Sequence, residues 1–263
     1  MKQSPFDSIA SSYDDTFTDT LVGQYQRAVV SDVLKQRFQE GMRLLEVGCG
    51  TGVDSVFLAQ RGVRVTAIDA SPRMVDIARQ RVEEAGLHNL VNLKVCTAEE
   101  IVNDPPVERF EGVFSNFGVL NCLDSPNLIG TLTDNCLKPG GYAVFCLLGR
   151  WCVWEIAAHL ARLRIRTAFR RLQRNGADVA VGDSSVHVIY PGPQTVIDVC
   201  RPHCIHLGTT GVGVFIPPSY LNPMVQRFPR SFRFLRSVDA HISRLPLFNH
   251  LGDHYCLELQ RRK

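Results

Sequence analysis

A doubly wound α/β chain with a largely parallel sheet is what this sequence predicts, and three observations predict it. Strand-length apolar runs alternate with stretches of helical period from Arg43 to Leu148. The run Leu44-Leu45-Glu46-Val47 passes through Gly48-x-Gly50-x-Gly52 into a helix opening at Val53. A second strand, Arg64-Val65-Thr66-Ala67-Ile68-Asp69, ends in an acid after one intervening helix.

Strand, glycine turn and helix together form a nucleotide cradle. Glycine permits positive φ and a close approach of ligand to backbone. The following helix offers free N–H groups and a positive dipole end. A dinucleotide fingerprint would need a third glycine at position 53, which is Val, and a phosphate loop would need Gly-Lys-Ser/Thr, where Gly52 precedes Val53-Asp54. Glu46 sets a carboxylate where a pyrophosphate would lie, so the expected ligand carries positive charge or hydroxyls there; a sulfonium bearing an α-amino group fits. Asp69 is positioned to accept ribose hydroxyls.

The segment Glu46-Val47-Gly48-Cys49-Gly50-Thr51-Gly52 resembles the first motif of the class I S-adenosylmethionine-dependent methyltransferases of small-molecule type. The resemblance implies a Rossmann-like, doubly wound, seven-stranded sheet, mostly parallel with an antiparallel last strand, and S-adenosylmethionine as cofactor. Further segments carry it. Asp69-Ala70-Ser71-Pro72-x-Met74 is similar to a stretch in which the methionine flanks adenine. Cys96-Thr97-Ala98-Glu99 is similar to the adenine-contacting turn, with Thr97 where an aspartate is usual. Phe6-Asp7 through Tyr13-Asp14 resembles an entrance segment whose tyrosine closes over the methionine end. Lys138-Pro139-Gly140-Gly141 is a further family marker, and Glu111 replaces a usual aspartate at the start of strand four. Asn116 and Phe117, at the carboxyl end of strand four, should face the sulfur. The expected cofactor-binding set is therefore Tyr13, Glu46, Gly48, Cys49, Gly50, Gly52, Asp69, Ala70, Met74, Ala98, Glu99, Asn116 and Phe117.

The chain has 263 residues with 45% hydrophobic content, room for a single domain with an insertion. Its apolar stretches are strand-length and none approaches the ~18 residues of a membrane span. The start, Met1-Lys2-Gln3-Ser4-Pro5, lacks a hydrophobic leader core, so a cytoplasmic location is expected. Nine cysteines, an odd count scattered over core runs, read as reduced buried hydrophobes. Cys200-x-x-His203-Cys204-x-His206 is too tightly spaced for a loop-formed zinc site, and no metal is expected. A formal charge of +3 makes no case for nucleic acid.

In order, a helix spans 21–39, and the cofactor core with its N-terminal lid helices occupies 1–149. Strand three is Val91–Val95, strand four 111–115, a helix covers 125–137, and strand five is Ala143–Leu148. Residues 150–205 read as an inserted substrate cap, and 206–263 complete the sheet, ending in a strand over 254–260. Within the insertion, Trp154, Ala158, Ala161, Ile165, Phe169 and Leu172 recur at helical spacing, while Arg162, Arg166, Arg170 and Arg174 recur every fourth residue. This predicts one amphipathic basic helix. It is either a solvated lid face or a landing surface for an acidic carrier protein, an anionic lipid surface or a carboxylate-bearing substrate. Val186–Tyr190 reads as a short strand with Val186, Val188 and Tyr190 on one side and His187 on the other.

Methyl transfer from a sulfonium is an in-line displacement that asks the protein to align acceptor, methyl and sulfur and to exclude water. A base is needed only for a weakly acidic hydroxyl or a protonated amine. The candidates are His187, Tyr190 and His206, with His203 beside them. No Asp/Asn-Pro-Pro-aromatic loop or Pro-Cys pair stands at strand four, which excludes the usual chemistry on nucleic-acid bases, so no DNA partner is expected. A small molecule or carrier-tethered acyl group, methylated on oxygen or carboxylate, is the expected acceptor. The alternatives are a protein- or RNA-directed enzyme docking through the basic helix, and a non-catalytic cofactor-binding partner.

Overall fold

The computed structural model describes residues 4–263. Met1, Lys2 and Gln3, on which part of the expectation about a leader rests, lie outside them.

After short helical turns over 5–18, α1 (Leu21–Arg37) is capped by Thr20, whose hydroxyl accepts from Gly23 N at 2.9 Å. Then come β1 (Arg43–Val47), α2 (Val53–Ala59), β2 (Arg64–Asp69), α3 (Pro72–Glu84), β3 (Val91–Val95), α4 (Ala98–Asn103), β4 (Phe110–Ser115), α5 (Asn127–Cys136) and β5 (Leu137–Leu148). The chain continues through α6 (Val153–Leu160), α7 (Ile165–Ala168), β6 (Ala177–Val181), β7 (Ser184–Val188), α8 (Pro193–Cys200) and β8 (Cys204–Val212). It closes with α9 (Asn222–Arg227), α10 (Pro229–Ile242) and β9 (His254–Arg261).

Seven strands form one sheet in the order β3-β2-β1-β4-β5-β9-β8. Strands β1 to β5 pair in parallel, and β9 runs antiparallel to both β5 and β8. The seven-stranded sheet and its antiparallel last strand agree with the expectation. Burial on both faces explains the unbroken apolar run Ala143–Leu148 of β5. Leu45, Phe145 and Leu147 pack against α4, α5 and α8, while Leu44, Val144 and Cys146 pack against α1, α2 and α3.

The excursion after β5 departs from the sequence reading. One basic helix was expected from Trp154 to Leu172; instead α6 ends at Leu160, the chain turns through Leu163 at φ +56°, and α7 lasts a single turn before a 3-10 turn at Arg170–Leu172. Arginines every fourth residue on one helix face would repel. Folding relieves this by turning Arg170 and Arg171 onto Glu155 and leaving Arg162, Arg166 and Arg174 in solvent. The strand foreseen near Val186 is β7, paired with β6 in a hairpin that alternation alone did not reveal. Helix α8, read as part of the insertion, packs on α5 and completes the crossover into β8. Among the described residues no helix is long and apolar enough to cross a membrane.

Candidate functional site

Two cavities lie beyond the carboxyl ends of β1, β4 and β5, where an open α/β sheet binds its ligands. They share two side chains, Tyr13 and Phe117.

The first, of about 240 Å³, is built around the glycine turn. Gly48 N and Cys49 N both donate to Ile68 O, at 2.8 and 2.9 Å, locking the turn against β2. Its three glycines have positive φ and different duties. A Cβ on Gly48 would run into Val119 and one on Gly52 into Ala78, whereas one on Gly50 would meet nothing within 4 Å. The space beside Gly50 is the cavity itself. Asp69 holds the turn from across β2, its carboxylate accepting from Gly50 N at 2.8 Å and Ser71 N at 2.9 Å. Burial pushes this carboxyl up from its ordinary value, and the two N–H donors oppose the shift.

The N-terminal segment is tied over this turn by two of its aspartates. Asp7 accepts from Ser71 Oγ at 2.6 Å, and Asp14 accepts from Thr51 Oγ1 at 2.8 Å and Arg81 at 2.5 Å. Tyr13 is thereby held on both cavities, its phenol pushed up to about 12 by burial, with Arg27 opposing.

At the end of β4, Phe117 takes φ +54°, a left-handed conformation that a bulky residue keeps only when its surroundings enforce it. The ring meets Phe17 edge-on at 5.0 Å and His254 at 5.7 Å, and the Arg27 guanidinium sits 4.7 Å from its centre. Asp54 accepts from Arg27 at 3.0 Å and from Asn116 Nδ2 at 2.9 Å. That leaves Asn116 Oδ1 buried, on the cavity wall, with no partner among the described residues.

Of the residues expected to bind cofactor, all but Glu46 and Gly52 line this cavity. The Glu46 side chain turns toward α2 and accepts from Ser55 Oγ, because alternation along β1 sends it to the α1/α2 face. Burial and the neighbouring charge of Asp54 push its carboxyl well above the usual range. Asp54, in the first turn of α2, stands on the wall instead. The Thr97 hydroxyl is occupied in a capping box with Glu100 at the start of α4.

The second cavity, of about 730 Å³, is roofed by the excursions after β5 and β8. Leu148, Val179, Val181, Val188, Tyr190, Pro218 and Tyr220 give it apolar walls. One side is a buried ionic cluster. Arg171 donates to Glu155 at 2.6 Å, to Asp253 Oδ1 at 2.8 Å, and to the Gly149 and Asp253 carbonyls, while Arg170 donates to Glu155 at 2.7 Å. Charges removed from water need this degree of pairing. Burial would raise the Asp253 carboxyl, but the Arg171 guanidinium and the hydrogen bond from Gln26 hold it below its ordinary value.

Next to Asp253, His254 opens β9 in register with Leu148 and Val212. Its Nδ1 lies 3.4 Å from Asp253 Oδ2 without hydrogen-bond geometry and is wholly buried. The Nε2 edge is therefore the part of the ring that meets the cavity. Burial, aided by Arg171 and opposed by Asp253, lowers its pKa, so the imidazole is neutral.

The predicted bases fare differently. Tyr190 lines the second cavity, its ring 5.6 Å from the Arg171 guanidinium. His187 does not reach it: the pleat of β7 turns it outward, to Asp178 at 2.8 Å and Asn175 O at 2.7 Å. His206 is exposed on the edge strand β8, against Thr209 Oγ1 at 2.9 Å, and His203 faces Asp134. Cys200 and Cys204 are buried beside Thr133, so the Cys/His cluster diverges, and no group of three metal-ligating side chains is found among the described residues. Sequence reasoning missed Arg27, Asp54 and His254. The faint signal for His254 was an Asp-His pair at a strand start; its partners Phe117 and Leu148 lie more than a hundred residues away.

Residues 44–141 match the family model described as a methyltransferase domain. A ubiquinone biosynthesis O-methyltransferase of Cereibacter sphaeroides is 32% identical over 136 residues, covering 52% of this chain and 51% of that protein. A demethylmenaquinone methyltransferase of Symbiobacterium thermophilum is 29% identical over 140 residues, 52% and 54% of the two chains. This chain thus spans about half the length of the curated relatives it matches. Among solved structures, the CcbJ methyltransferase of Streptomyces caelestis superposes with a TM-score of 0.64 at 15% identity, covering 100% of both chains, which shows a shared fold. The family match falls on the strands and turns that build the first cavity, inside a seven-stranded sheet closed by an antiparallel strand, and it is residues 44–141 that resemble a methyltransferase domain.

Proposed function

We propose that this protein methylates a hydroxyl oxygen on a small, largely apolar molecule held in the second cavity. The observation that carries the reading is that two cavities meet at Tyr13 and Phe117, one with the family's cofactor motifs and one with an apolar wall and a neutral, buried histidine. The second cavity's size falls in the range usual for small-molecule sites. The names of the relatives tie one of those proteins to O-methylation in ubiquinone biosynthesis and the other to demethylmenaquinone, and the first of these supports an oxygen-directed reaction here.

The first cavity fits the family's cofactor on two counts. The place of a Gly50 Cβ is open, and Asn116 Oδ1 is a buried acceptor that lacks a donor among the described residues, as an ammonium group would supply. Asp69 would receive ribose hydroxyls, Met74 and Ala98 would flank the base, and Tyr13 and Asn116 would hold the amino-acid end. Bound S-adenosylmethionine supplies a methyl carbon activated by a sulfonium leaving group. The chain's own work is alignment and the exclusion of water, which in favourable cases lowers a barrier by ~7–11 kcal/mol. His254 Nε2 accepts the hydroxyl proton, with the Asp253 carboxylate beside the ring stabilising the imidazolium that forms. Tyr190 contributes to the acceptor wall. A free small molecule suits a cavity that can hold it whole, in preference to a carrier-tethered acyl chain.

Calorimetry with S-adenosylmethionine and S-adenosylhomocysteine, followed by turnover on a panel of hydroxylated aromatic compounds, tests this. Both ligands should bind, and His254→Gln should lower kcat by ~10²–10⁴-fold with cofactor affinity unchanged. Heat from neither ligand would end the methyltransferase reading, and undiminished turnover would remove His254 from it. A steep fall of turnover with salt on a protein or RNA substrate would favour the macromolecular alternative.

A further inference from the structure

Positive charge in this chain is segregated. The net charge is only +3, yet residues 156–177 contain no acidic residue and hold six arginines. Arg170 and Arg171 are committed to Glu155. Arg162, Arg164, Arg166 and Arg174 are exposed and form no ion pair among the described residues. Between and just before them stand large apolar side chains in solvent: Leu163 is 88% exposed, Ile165 63% and Leu160 41%. Every residue from Leu160 to Arg166 is exposed, so this is a protrusion and not a groove. Leu163 also sits at φ +56°, which a branched side chain adopts only under constraint, and the constraint here presents it to solvent.

We propose that this turn between α6 and α7 docks the protein on an anionic lipid surface. Alternating leucine, isoleucine and arginine on a convex tip matches what the membrane interface accommodates: apolar side chains entering the headgroup–acyl boundary and guanidiniums remaining with lipid phosphates. An acidic protein partner would meet the same charges, but a fully exposed tip offers it no complementary hollow for apolar anchors. Helix α10 adds to the same character. It joins α6 through the Trp154–Phe232 contact at 6.1 Å, its first ten residues end an acid-free stretch over 199–238, and it exposes Arg230, Arg233 and Phe234.

The tip is rooted in the acceptor cavity, since Glu155, Arg170 and Arg171 line that cavity and bracket the turn. Docking would bring the cavity to the surface from which an apolar acceptor partitions. The surface proposal stands on the tip alone and does not require the methyl-transfer reading.

Co-sedimentation of the full chain with phosphatidylcholine vesicles, with and without one third phosphatidylglycerol, tests it. The protein should sediment with the anionic vesicles and not with the neutral ones. The pairs Leu163→Ser with Ile165→Ser, and Arg162→Glu with Arg166→Glu, should each weaken binding at least tenfold while leaving the thermal midpoint and S-adenosylmethionine affinity unchanged. Equal sedimentation of wild type and variants, or none with anionic vesicles, would overturn the proposal. Loss from the charge swap alone, with the apolar pair behaving as wild type, would reduce the tip to a nonspecific polyanion contact and overturn insertion. Binding to an acidic acyl carrier protein without vesicle binding would replace the lipid with a protein partner.

Discussion

The two cavities share a wall but are made differently. The first is made largely of backbone: a glycine turn, two strand ends and N–H groups fixed by Asp69. The second is made of side chains from excursions held to the sheet by the Arg171–Glu155–Asp253 cluster. A backbone cradle accepts few changes, because each glycine answers a particular clash or ligand approach. A side-chain roof can change its lining while the sheet beneath it stays the same. The first cavity is accordingly fixed by the fold, and the second belongs to this chain.

The largest effect expected from breaking this division is at Gly50. Gly50→Val should abolish S-adenosylmethionine binding, because the new side chain fills open cavity and not the protein interior. Unfolding midpoints should fall only by the cost of a β-branched residue at positive φ, and calorimetry showing retained binding would refute the assignment of the turn. On the other side of the partition, Glu155→Ala leaves Arg171 half-paired in a buried site and should cost about 3–5 kcal/mol in urea unfolding. Cofactor affinity per folded molecule should survive; an equal loss of affinity would show that the two regions are one unit. Asp69→Ala should raise the cofactor's dissociation constant tenfold or more, about 1.4 kcal/mol. Here calorimetry giving an unchanged constant would take Asp69 out of the site.

The smallest effect is the pH dependence of His254. Its folded pKa is lowered, chiefly by burial, so the neutral form persists below the ordinary imidazole value of ~6.5. The unfolded chain takes up the proton first. This residue's contribution to stability is therefore fully present above about pH 6.5 and is lost as pH falls toward the lower folded value. The acid limb of kcat/KM should likewise lie below ~6.5 and should vanish in His254→Gln. A limb at or above the ordinary value would mean that the ring is open to water.

Much of the first region was legible because its signals are local. Gly48, Gly50 and Gly52 declare themselves by spacing, Asp69 by ending a strand, and Asn116 and Phe117 by following one. Glu46 was misread at the level of the side chain: the motif gives its position, but the pleat of β1 and the reach of Ser55 decide where the carboxyl goes. The arginine stripe was misread for a related reason. Periodicity proposes a helix, and the pull of Glu155 on Arg170 and Arg171, set against repulsion among the rest, breaks it.

By itself the sequence determined the alternating α/β order, the glycine cradle and the class of cofactor, because these depend on contacts within a few residues and on burial that a run of side chains records directly. Only the tertiary structure decided that His254, Tyr190 and Leu148 share a cavity, that His187 and His206 do not, and that Arg171 is buried while Arg162 is bare. Those outcomes depend on the register of β9 between β5 and β8 and on the path of a long excursion. Both are settled by packing and by ion pairs between residues far apart in the chain, which no local pattern encodes.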